Sequence, residues 1–146
     1  MKIVIDADAC PVTALTVKVA KEKCIECIIV CDNTHVIEYE NIKTIVVDKG
    51  TDSADCKIAN ILNAGDVAIT QDYGLAALCL GKKAKVLNQN GLIYTDDNIE
   101  NLLYSRYANK KIMMSGKRIK GPSKRTKEND QAFLNSLYKI LSEIHL

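Results

Sequence analysis

Short apolar runs alternate with amphipathic stretches along most of the chain. Runs of branched apolar residues that end at a polar residue are typical of buried parallel strands. They predict five strands, at residues 2–6, 27–31, 43–47, 67–70 and 85–87. Apolar residues at helical spacing predict five helices, at residues 11–23, 51–63, 75–80, 99–107 and 130–144.

This alternation predicts an α/β protein, a three-layer α/β/α sandwich around a mostly parallel sheet of about five strands. One connection leaves a question open. Residues 32–42, which join the second and third strands, are barely enough for a helical crossover. The direction of the third strand is therefore undecided at this point.

Length and composition fit one packed domain. The chain has 146 residues, of which 47% are hydrophobic and 26% charged, the balance of a globular protein rather than a disordered one. We expect one domain over residues 1–146, with a basic loop at about residues 108–128 and a C-terminal helix at about residues 129–145. Asp6 and Asp8 interrupt the first apolar run, which excludes a signal peptide or a membrane span there. We expect a cytoplasmic protein with no membrane partner.

Charge is divided unevenly along the chain. Residues 1–105 contain 10 Lys/Arg and 15 Asp/Glu, a net charge of −5, whereas residues 106–146 contain 10 and 3, a net charge of +7. Between residues 106 and 127, nine cations follow one another with no acid among them. An acidic body with a basic tail is typical of polyanion-binding proteins, so we expect a nucleic acid, above all RNA, as partner. The alternative is a charged loop that is only solvated.

The candidate nucleic-acid contacts lie in and beside this basic run. Tyr104 and Tyr107 are close to it in sequence, and their rings could stack on bases. With one Phe and no Trp in the chain, aromatic contacts to bases must be few. The cations that we expect to contact the backbone are Arg106, Lys117, Arg118, Lys120, Lys124 and Arg125.

Acids or amides follow every predicted strand. The carboxyl ends of parallel strands share one edge of the sheet, and ligands bind in the crevice outside that edge. Asp66 precedes its strand, so we place it at the opposite edge and outside the site. Single residues of this kind often only form turns or cap helices, but their recurrence after all five strands favours a site. They are Asp6, Asp8, Asp32, Asn33, Asp48, Gln71, Asp72 and Asn88.

Asp6 and Asp8 are the most informative pair of acids. A strand period of two points both side chains the same way, and two like charges repel unless a cation lies between them or one is protonated. Oxygen ligands of this kind suit Mg²⁺ or Mn²⁺. The alternative is structural: Asp8 caps the helix that starts near Pro11, and Asp6 accepts backbone hydrogen bonds.

Asp52 and Asp55 form a second acidic pair, at the predicted start of the second helix. Asp52 is placed as an N-cap, and Asp55, three residues on, lies on the same helical face. Capping and the helix dipole alone would explain both residues. The helix nevertheless leads towards the strand before Asp72, so both acids are candidates for the site.

Six cysteines raise the question of a metal or disulfide site. Cys24 and Cys27 have the C-x-x-C spacing, but His35 and His145 do not complete a zinc-finger or zinc-ribbon pattern. Without an export signal, disulfides are not expected. We expect free thiols, most of them as small core residues.

Several segments of the sequence together resemble one protein family. They are residues 5–12 (IDADACPV), 50–55 (GTDSAD) and 65–72 (GDVAITQD), and Gly121-Pro122 followed by Phe133 and Leu137. In this order they are similar to the signatures of the YaiI/YqxD family of bacterial proteins, which belongs to the PIN-like nuclease superfamily. The resemblance spans nearly the whole chain.

The resemblance implies a PIN-like fold and a metal-dependent nuclease. PIN-like domains place carboxylates after the first and fourth parallel strands and on an intervening helix, where they bind Mg²⁺ or Mn²⁺ for phosphodiester hydrolysis. Asp6, Asp72 and either Asp52 or Asp55 match those positions. The sequence departs from the pattern at Tyr73-Gly74, where an apolar pair is expected, and in having Asp rather than Glu on the helix.

The leading hypothesis is a metal-dependent nuclease acting on RNA or single-stranded nucleic acid. Its candidate metal ligands are Asp6, Asp52, Asp55 and Asp72, and Asp8 joins them in the candidate catalytic set. One alternative is a phosphatase of the haloacid dehalogenase type, with Asp6 as nucleophile, because a strand followed by D-x-D also opens that fold. The chain is short for it, and no G-D-x-x-x-D motif follows a later strand. Another alternative is a non-catalytic RNA-binding or regulatory module.

Overall fold

A computed structural model describes residues 1–8, 10–49, 53–114, 116 and 124–144, and within these residues six strands form one sheet. The strands are β1 (Lys2–Asp6), β2 (Glu26–Asp32), β3 (Lys43–Val47), β4 (Val67–Ile69), β5 (Lys85–Leu87) and β6 (Ile93–Tyr94). Their order across the sheet is β3-β2-β1-β4-β5-β6. The first five are parallel, and β6 pairs antiparallel with β5.

Helices cover both faces of the sheet. The described residues form α1 (Thr13–Lys23), α2 (Ser53–Ile61), α3 (Tyr73–Gly81), α4 (Asp96–Met114) and α5 (Lys127–Ile144). Apolar side chains of α1 and α5 pack with Ile3 and Ile5 on one face. Those of α2, α3 and α4 pack with Val4 on the other. The protein is therefore a three-layer α/β/α structure with a mostly parallel sheet, as predicted, although the sheet has six strands rather than five.

The central strand β2 illustrates why these apolar runs form strands. Cys27, Ile29 and Cys31 face the layer of α1 and α5, whereas Ile28 and Val30 face the opposite layer. All five are buried. Since successive side chains of a strand point to opposite faces, a strand covered on both sides reads as an uninterrupted apolar run.

The structure decides the direction of β3. It pairs in parallel with β2, with Ile28 opposite Lys43 and Asp32 opposite Val47. Residues 33–42 make the crossover without forming a helix. The third strand therefore also delivers its carboxyl end to the common edge.

β6 and α4 differ most from the sequence-based prediction. β6 has no counterpart among the predicted strands, because two residues are too few for a strand pattern to be recognised. α4 is longer than predicted at both ends, so residues 108–114 are helical where a basic loop is expected. Lys and Met are good helix formers, and the Lys111 ammonium lies 4.9 Å from the centre of the Tyr107 ring, one turn earlier. Residues 124–126 are not helical, as a loop requires, and α5 begins at Lys127, slightly before the predicted start of the C-terminal helix. Residues 115 and 117–123 of the expected loop lie outside the described residues.

The cysteines are free thiols, as expected, but only half of them are core residues. Cys24 is exposed and ends α1 in the left-handed conformation, with φ 54°. Cys27, Cys31 and Cys79 are buried, Cys10 is partly buried, and Cys56 is exposed. Within the described parts of the chain, no helix combines the length and apolar character needed to span a bilayer.

Candidate functional site

The strand order reverses between β1 and β4, at the centre of the sheet. From β1 the chain moves outwards to β2 and β3, then returns to β4 and continues in the other direction to β5. Such a reversal leaves a crevice outside the carboxyl ends of the two strands, where open α/β sheets bind ligands. Asp6 is the last residue of β1, and Thr70 and Asp72 follow β4. The fold therefore brings these three residues to the crevice.

A buried hydroxyl connects the two strand ends. Thr70 is only 1% exposed, and its Oγ1 donates a hydrogen bond of 2.8 Å to Oδ2 of Asp6. The same Oγ1 accepts a 3.0 Å hydrogen bond from the backbone N–H of Asp72. The register explains this contact, because Ile5 pairs with Ile69 and the next residues of the two strands are Asp6 and Thr70. Thr70 thus orients the Asp6 carboxylate relative to the start of α3.

The Asp6 carboxylate is electrostatically strained. Burial raises its pKa from 3.8 to about 6, and the negative charges of Asp55, Asp8 and Asp72 act in the same direction, against the hydrogen bond from Thr70. A carboxylate prefers its neutral form when it loses water and faces other carboxylates. A cation bound at this position would reverse that preference, because it stabilises the charged form.

Asp72 also has a structural role. Its Oδ1 accepts hydrogen bonds from the backbone N–H groups of Gly74, at 2.8 Å, and Leu75, at 3.3 Å. Asp72 is therefore the N-cap of α3, where a carboxylate also compensates the positive end of the helix dipole. This cap fixes the side chain at the edge where the sequence predicts a ligand.

Asp8 does not cap α1, so that structural alternative is wrong. The N-cap of α1 is Val12, which makes no side-chain capping bond. Instead, Oδ1 of Asp8 accepts a 3.1 Å hydrogen bond from the backbone N–H of Asp32. This bond fastens the turn after β1 to the end of β2. Asp8 still belongs to the same acidic edge, because its charge raises the pKa of Asp6.

The second acidic pair is only partly described. Asp55 lies in the first turn of α2, and its charge raises the pKa of Asp6. Burial raises the pKa of the Cys79 thiol to about 12, and the charges of Asp6 and then Asp55 add to this effect. Asp55 therefore acts on the same region as Asp6. Asp52 lies outside the described residues, and its place in the site stays a prediction.

Polar residues at the ends of β2 and β5 mainly stabilise turns. Oδ1 of Asn88 accepts hydrogen bonds from the backbone N–H groups of Asn90 and Leu92, both at 2.9 Å. Oδ1 of Asp32 accepts one from the backbone N–H of Thr34 at 2.8 Å. Side chains of this type commonly stabilise turns in this way. The acidic edge thus divides into a central group around Asp6 and an outer group with turn functions.

Asp66 lies at the opposite, amino edge, as predicted. Its Oδ2 forms an ion pair of 2.7 Å with Nζ of Lys2, at the start of β1. Its two oxygens also accept backbone hydrogen bonds from Lys2, at 3.1 Å, and Asn63, at 2.8 Å. The sequence was therefore right to separate this aspartate from the candidate site.

The cations predicted to contact nucleic acid differ in their surroundings from one another. The Arg125 guanidinium donates hydrogen bonds to the Asp130 carboxylate at 2.7 Å, to the Asn90 side chain at 2.9 Å and to the Gln89 carbonyl at 2.8 Å. Lys124, beside it, is exposed. Arg106 belongs to α4, and Lys117, Arg118 and Lys120 lie outside the described residues.

These Arg125 contacts join the start of α5 to the turn after β5. Gly91 in this turn has φ 85°, and a Cβ atom there would lie 2.4 Å from the backbone oxygen of Ala132. The Ser136 hydroxyl also donates a 2.6 Å hydrogen bond to the Gly91 carbonyl. Because β5 ends at the carboxyl edge, the chain that leads into α5 is anchored at the same edge as Asp6.

The residue that sequence reasoning missed at the centre is Thr70. Its position directly after an apolar strand and two residues before Asp72 is visible in the sequence. Threonine is common in strands, however, and only the pairing of β1 with β4 makes its hydroxyl a partner of Asp6. Tertiary register is needed to find it.

The donor set suits a hard cation, since every candidate ligand offers oxygen. Among residues 1–8, 10–49, 53–114, 116 and 124–144, however, no three His, Cys, Asp or Glu side chains lie close enough together to hold a metal ion by themselves. Mg²⁺ often binds to only one or two carboxylates and completes its shell with water and substrate phosphates. The central group is compatible with that kind of site.

Fold and site together define an α/β protein with carboxylates gathered at the reversal of its strand order. Residues 4–143 match the family described as "Uncharacterized BCR, YaiI/YqxD family". The chain therefore belongs to the YaiI/YqxD family, and the resemblance seen in its motifs is confirmed.

Curated bacterial relatives match over nearly their whole length. A "UPF0178 protein" of Ruminiclostridium cellulolyticum is 49% identical over 94% of this chain and 90% of its own. One from Alkaliphilus metalliredigens is 47% identical over 100% and 94%, and one from Exiguobacterium sibiricum is 42% identical over 98% of both. No solved structure matches the chain.

Proposed function

We propose that this protein is a metal-dependent nuclease that hydrolyses phosphodiester bonds of RNA or other single-stranded nucleic acid. The observation that carries the proposal is the group of carboxylates around Asp6 at the reversal of strand order. Burial and the charges of Asp55, Asp8 and Asp72 raise the pKa of Asp6 to about 6. Repulsion between carboxylates lowers the stability of the fold. Carboxylates held together in this way, in a crevice of the kind that binds ligands, are typical of functional sites.

Asp6 and Asp72 would hold Mg²⁺ or Mn²⁺, together with Asp55 or Asp52 from the start of α2. When bound, the ion would act as a Lewis acid that lowers the pKa of a water molecule and offsets negative charge at the phosphoryl group. Thr70 keeps Oδ2 of Asp6 directed towards the end of β4 through its 2.8 Å hydrogen bond. The α3 cap keeps Asp72 at the same edge.

The basic part of the chain would hold the nucleic-acid backbone beside these acids. Arg125 anchors the start of α5 to the turn after β5, so the exposed Lys124 beside it lies near the carboxyl edge. Phosphate contacts by such cations position a nucleic acid without reading its sequence. This arrangement favours a strand-cleaving enzyme over one that acts on a small phosphate ester.

The phosphatase alternative loses support from the position of Asp66. The Gly65-Asp66 pair is the part of the sequence closest to the second acidic motif of that fold. Asp66 lies at the amino edge, where Lys2 and Asn63 occupy its two oxygens. It is therefore not available to assist Asp6.

Cleavage of a fluorescently labelled single-stranded RNA by purified protein with Mn²⁺ tests the proposal. The parent protein should cleave, and Asp6→Asn should lower the rate at least about 100-fold, as expected when a main electrostatic contribution to the transition state is lost. Mn²⁺ should raise the melting temperature of the parent by mass action. It should raise that of Asp6→Asn much less.

Asp97→Asn is the matched control. It makes the same charge change at an exposed residue in the first turn of α4, and its rate should stay within about twofold of the parent. Asp66→Asn would be a poor control, because it breaks the ion pair with Lys2. Equal cleavage by parent and Asp6→Asn would identify a contaminant and overturn the proposal. A parent that cleaves neither RNA nor single-stranded DNA would also overturn it, in favour of a binding module.

A further inference from the structure

Two aromatic side chains on α4 are exposed to an unusual degree. Tyr104 is 72% and Tyr107 is 56% exposed. They are three residues apart, so they are neighbours on one side of the helix. Phe133 and Tyr94, in contrast, are fully buried. The exposed pair therefore contributes little to the core.

The two halves of α4 have opposite characters. The first half carries Asp96, Asp97 and Glu100 and packs against the core through Ile99 and its neighbours Leu102 and Leu103. From residue 104 to residue 114 the helix carries three cations and no acid. One of them, Lys111, places its ammonium 4.9 Å from the centre of the Tyr107 ring.

The length of α4 explains this division. Because β6 is antiparallel to β5, α4 starts near the amino edge of the sheet. Its 19 residues extend about 28 Å, whereas the three residues of β5 extend only about 10 Å. The helix is much longer than β5, and the half with Tyr104 and Tyr107 continues beyond the core contacts of Ile99, Leu102 and Leu103.

We propose that Tyr104, Tyr107 and Lys111 form a stacking surface for the bases of single-stranded nucleic acid. Aromatic rings stack on any base, and neighbouring cations bind the phosphates between them. Tyr104 and Tyr107 offer exposed aromatic rings, and the charge of residues 104–114 is positive. Both features fit a polyanion with aromatic bases better than a protein partner. The inference deepens the proposed nuclease by naming unpaired bases as what it recognises.

Binding to two oligonucleotides of equal length and charge tests the surface, one with bases and one with abasic sites throughout. The measurement is fluorescence anisotropy in EDTA, which removes divalent metal and hence cleavage. The parent should bind the base-containing strand at least about fivefold more tightly than the abasic strand. Tyr104→Ala and Tyr107→Ala should reduce this ratio towards one, and Tyr104→Phe should retain it. Leu78→Ala, at a 55% exposed residue of α3, should leave it unchanged.

The ratio of the two affinities distinguishes base stacking from attraction by charge and from cleavage. Asp6→Asn should keep the ratio, so a protein that shows the ratio but cleaves nothing overturns the nuclease proposal alone. A parent ratio of one, or a ratio unaffected by both Tyr→Ala changes, overturns the stacking surface even if the RNA is cleaved. A parent that binds neither strand also overturns it and leaves a protein partner as the occupant of this surface.

Discussion

An aspartate at the amino edge of the sheet and one at the carboxyl edge have opposite electrostatic surroundings. At the amino edge Asp66 is 4% exposed and is paired with the Lys2 ammonium, with two backbone N–H groups as further donors. At the carboxyl edge Asp6 is partly buried, and its described hydrogen bond comes from the neutral hydroxyl of Thr70. Its charged neighbours are other aspartates.

The pKa values follow this difference. Burial alone would raise the pKa of Asp66, but the hydrogen bonds and charge of Lys2 and the hydrogen bond from Asn63 outweigh it and lower the pKa. Burial raises the pKa of Asp6 to about 6, with help from its acidic neighbours. The amino edge therefore stabilises the charged form of its aspartate. The carboxyl edge destabilises the charged form of Asp6, a penalty that protonation or a bound cation would remove.

Breaking the ion pair of Asp66 at the amino edge should have the largest effect on the stability of the fold. Asp66→Asn keeps the shape of the side chain but leaves the Lys2 ammonium, on a side chain only 13% exposed, without its counter-charge. We expect the free energy of unfolding at pH 7 to fall by about 2–4 kcal/mol. Urea denaturation measures it, with Asp97→Asn as the control for loss of an exposed charge. A loss equal to that of the control would mean that the ion pair contributes nothing to the difference between the edges.

Neutralising Asp6 at the carboxyl edge should increase the free energy of unfolding rather than decrease it. Asp6→Asn removes a charge whose pKa rises from 3.8 to about 6 on folding, and Asn can still accept the hydrogen bond from Thr70. At about 1.4 kcal/mol per pKa unit, we expect the variant to be more stable than the parent by about 3 kcal/mol at pH 7. This gain would accompany the loss of activity described above, a trade between stability and function.

The pH dependence distinguishes the two edges further. A raised pKa in the folded state means that the charge of Asp6 destabilises the fold fully above about pH 6, and that this penalty vanishes below about pH 4. The advantage of Asp6→Asn should therefore disappear as the pH falls from 7 to 4. The lowered pKa of Asp66 stabilises the fold above the pKa of the unfolded chain, and that contribution is lost only as pH falls further. An advantage of Asp6→Asn that is the same at pH 4 and pH 7 would contradict this account.

The sequence was sufficient to assign the aspartates to their edges. Strand direction alone separates Asp6 and Asp72, which follow strands, from Asp66, which precedes one, and the apolar runs locate the strands without a structure. Local patterns of this kind reflect burial on both faces of a parallel sheet. They therefore predict the layers, the central strands and the acidic edge.

What the sequence could not provide depends on register and on contacts distant in the chain. The bond from Asp32 to Asp8 joins two strands across 24 residues, and the bond from Thr70 to Asp6 joins two across 64. Arg125 reads as one more cation of a basic run, yet its guanidinium is held by Gln89 and Asn90. No local pattern encodes such pairings, because they form only when the strands and helices are assembled.

The smallest effect should come from the hydroxyl that joins the two strands of the acidic edge. Thr70→Val keeps the shape of the side chain but removes the donor to Asp6 and the acceptor for the N–H of Asp72. We expect a loss of about 1 kcal/mol at pH 7 and a smaller loss at pH 4, where Asp6 is neutral. Since this hydrogen bond lowers the pKa of Asp6, its removal should move the titration of the Asp6 carboxyl carbon, followed by NMR, to a pH above 6.

Thr16→Val provides the control for this change. The Thr16 hydroxyl is equally buried but donates to the carbonyl of Val12, the N-cap of α1, at 2.8 Å. Its removal should also reduce stability, but by the same amount at both pH values and without moving the Asp6 titration. If Thr70→Val behaved like Thr16→Val in both measurements, the hydroxyl would be an ordinary packing contact. The charge of Asp6 would then be set by burial and its acidic neighbours alone, and the contrast with the three donors around Asp66 would be sharper still.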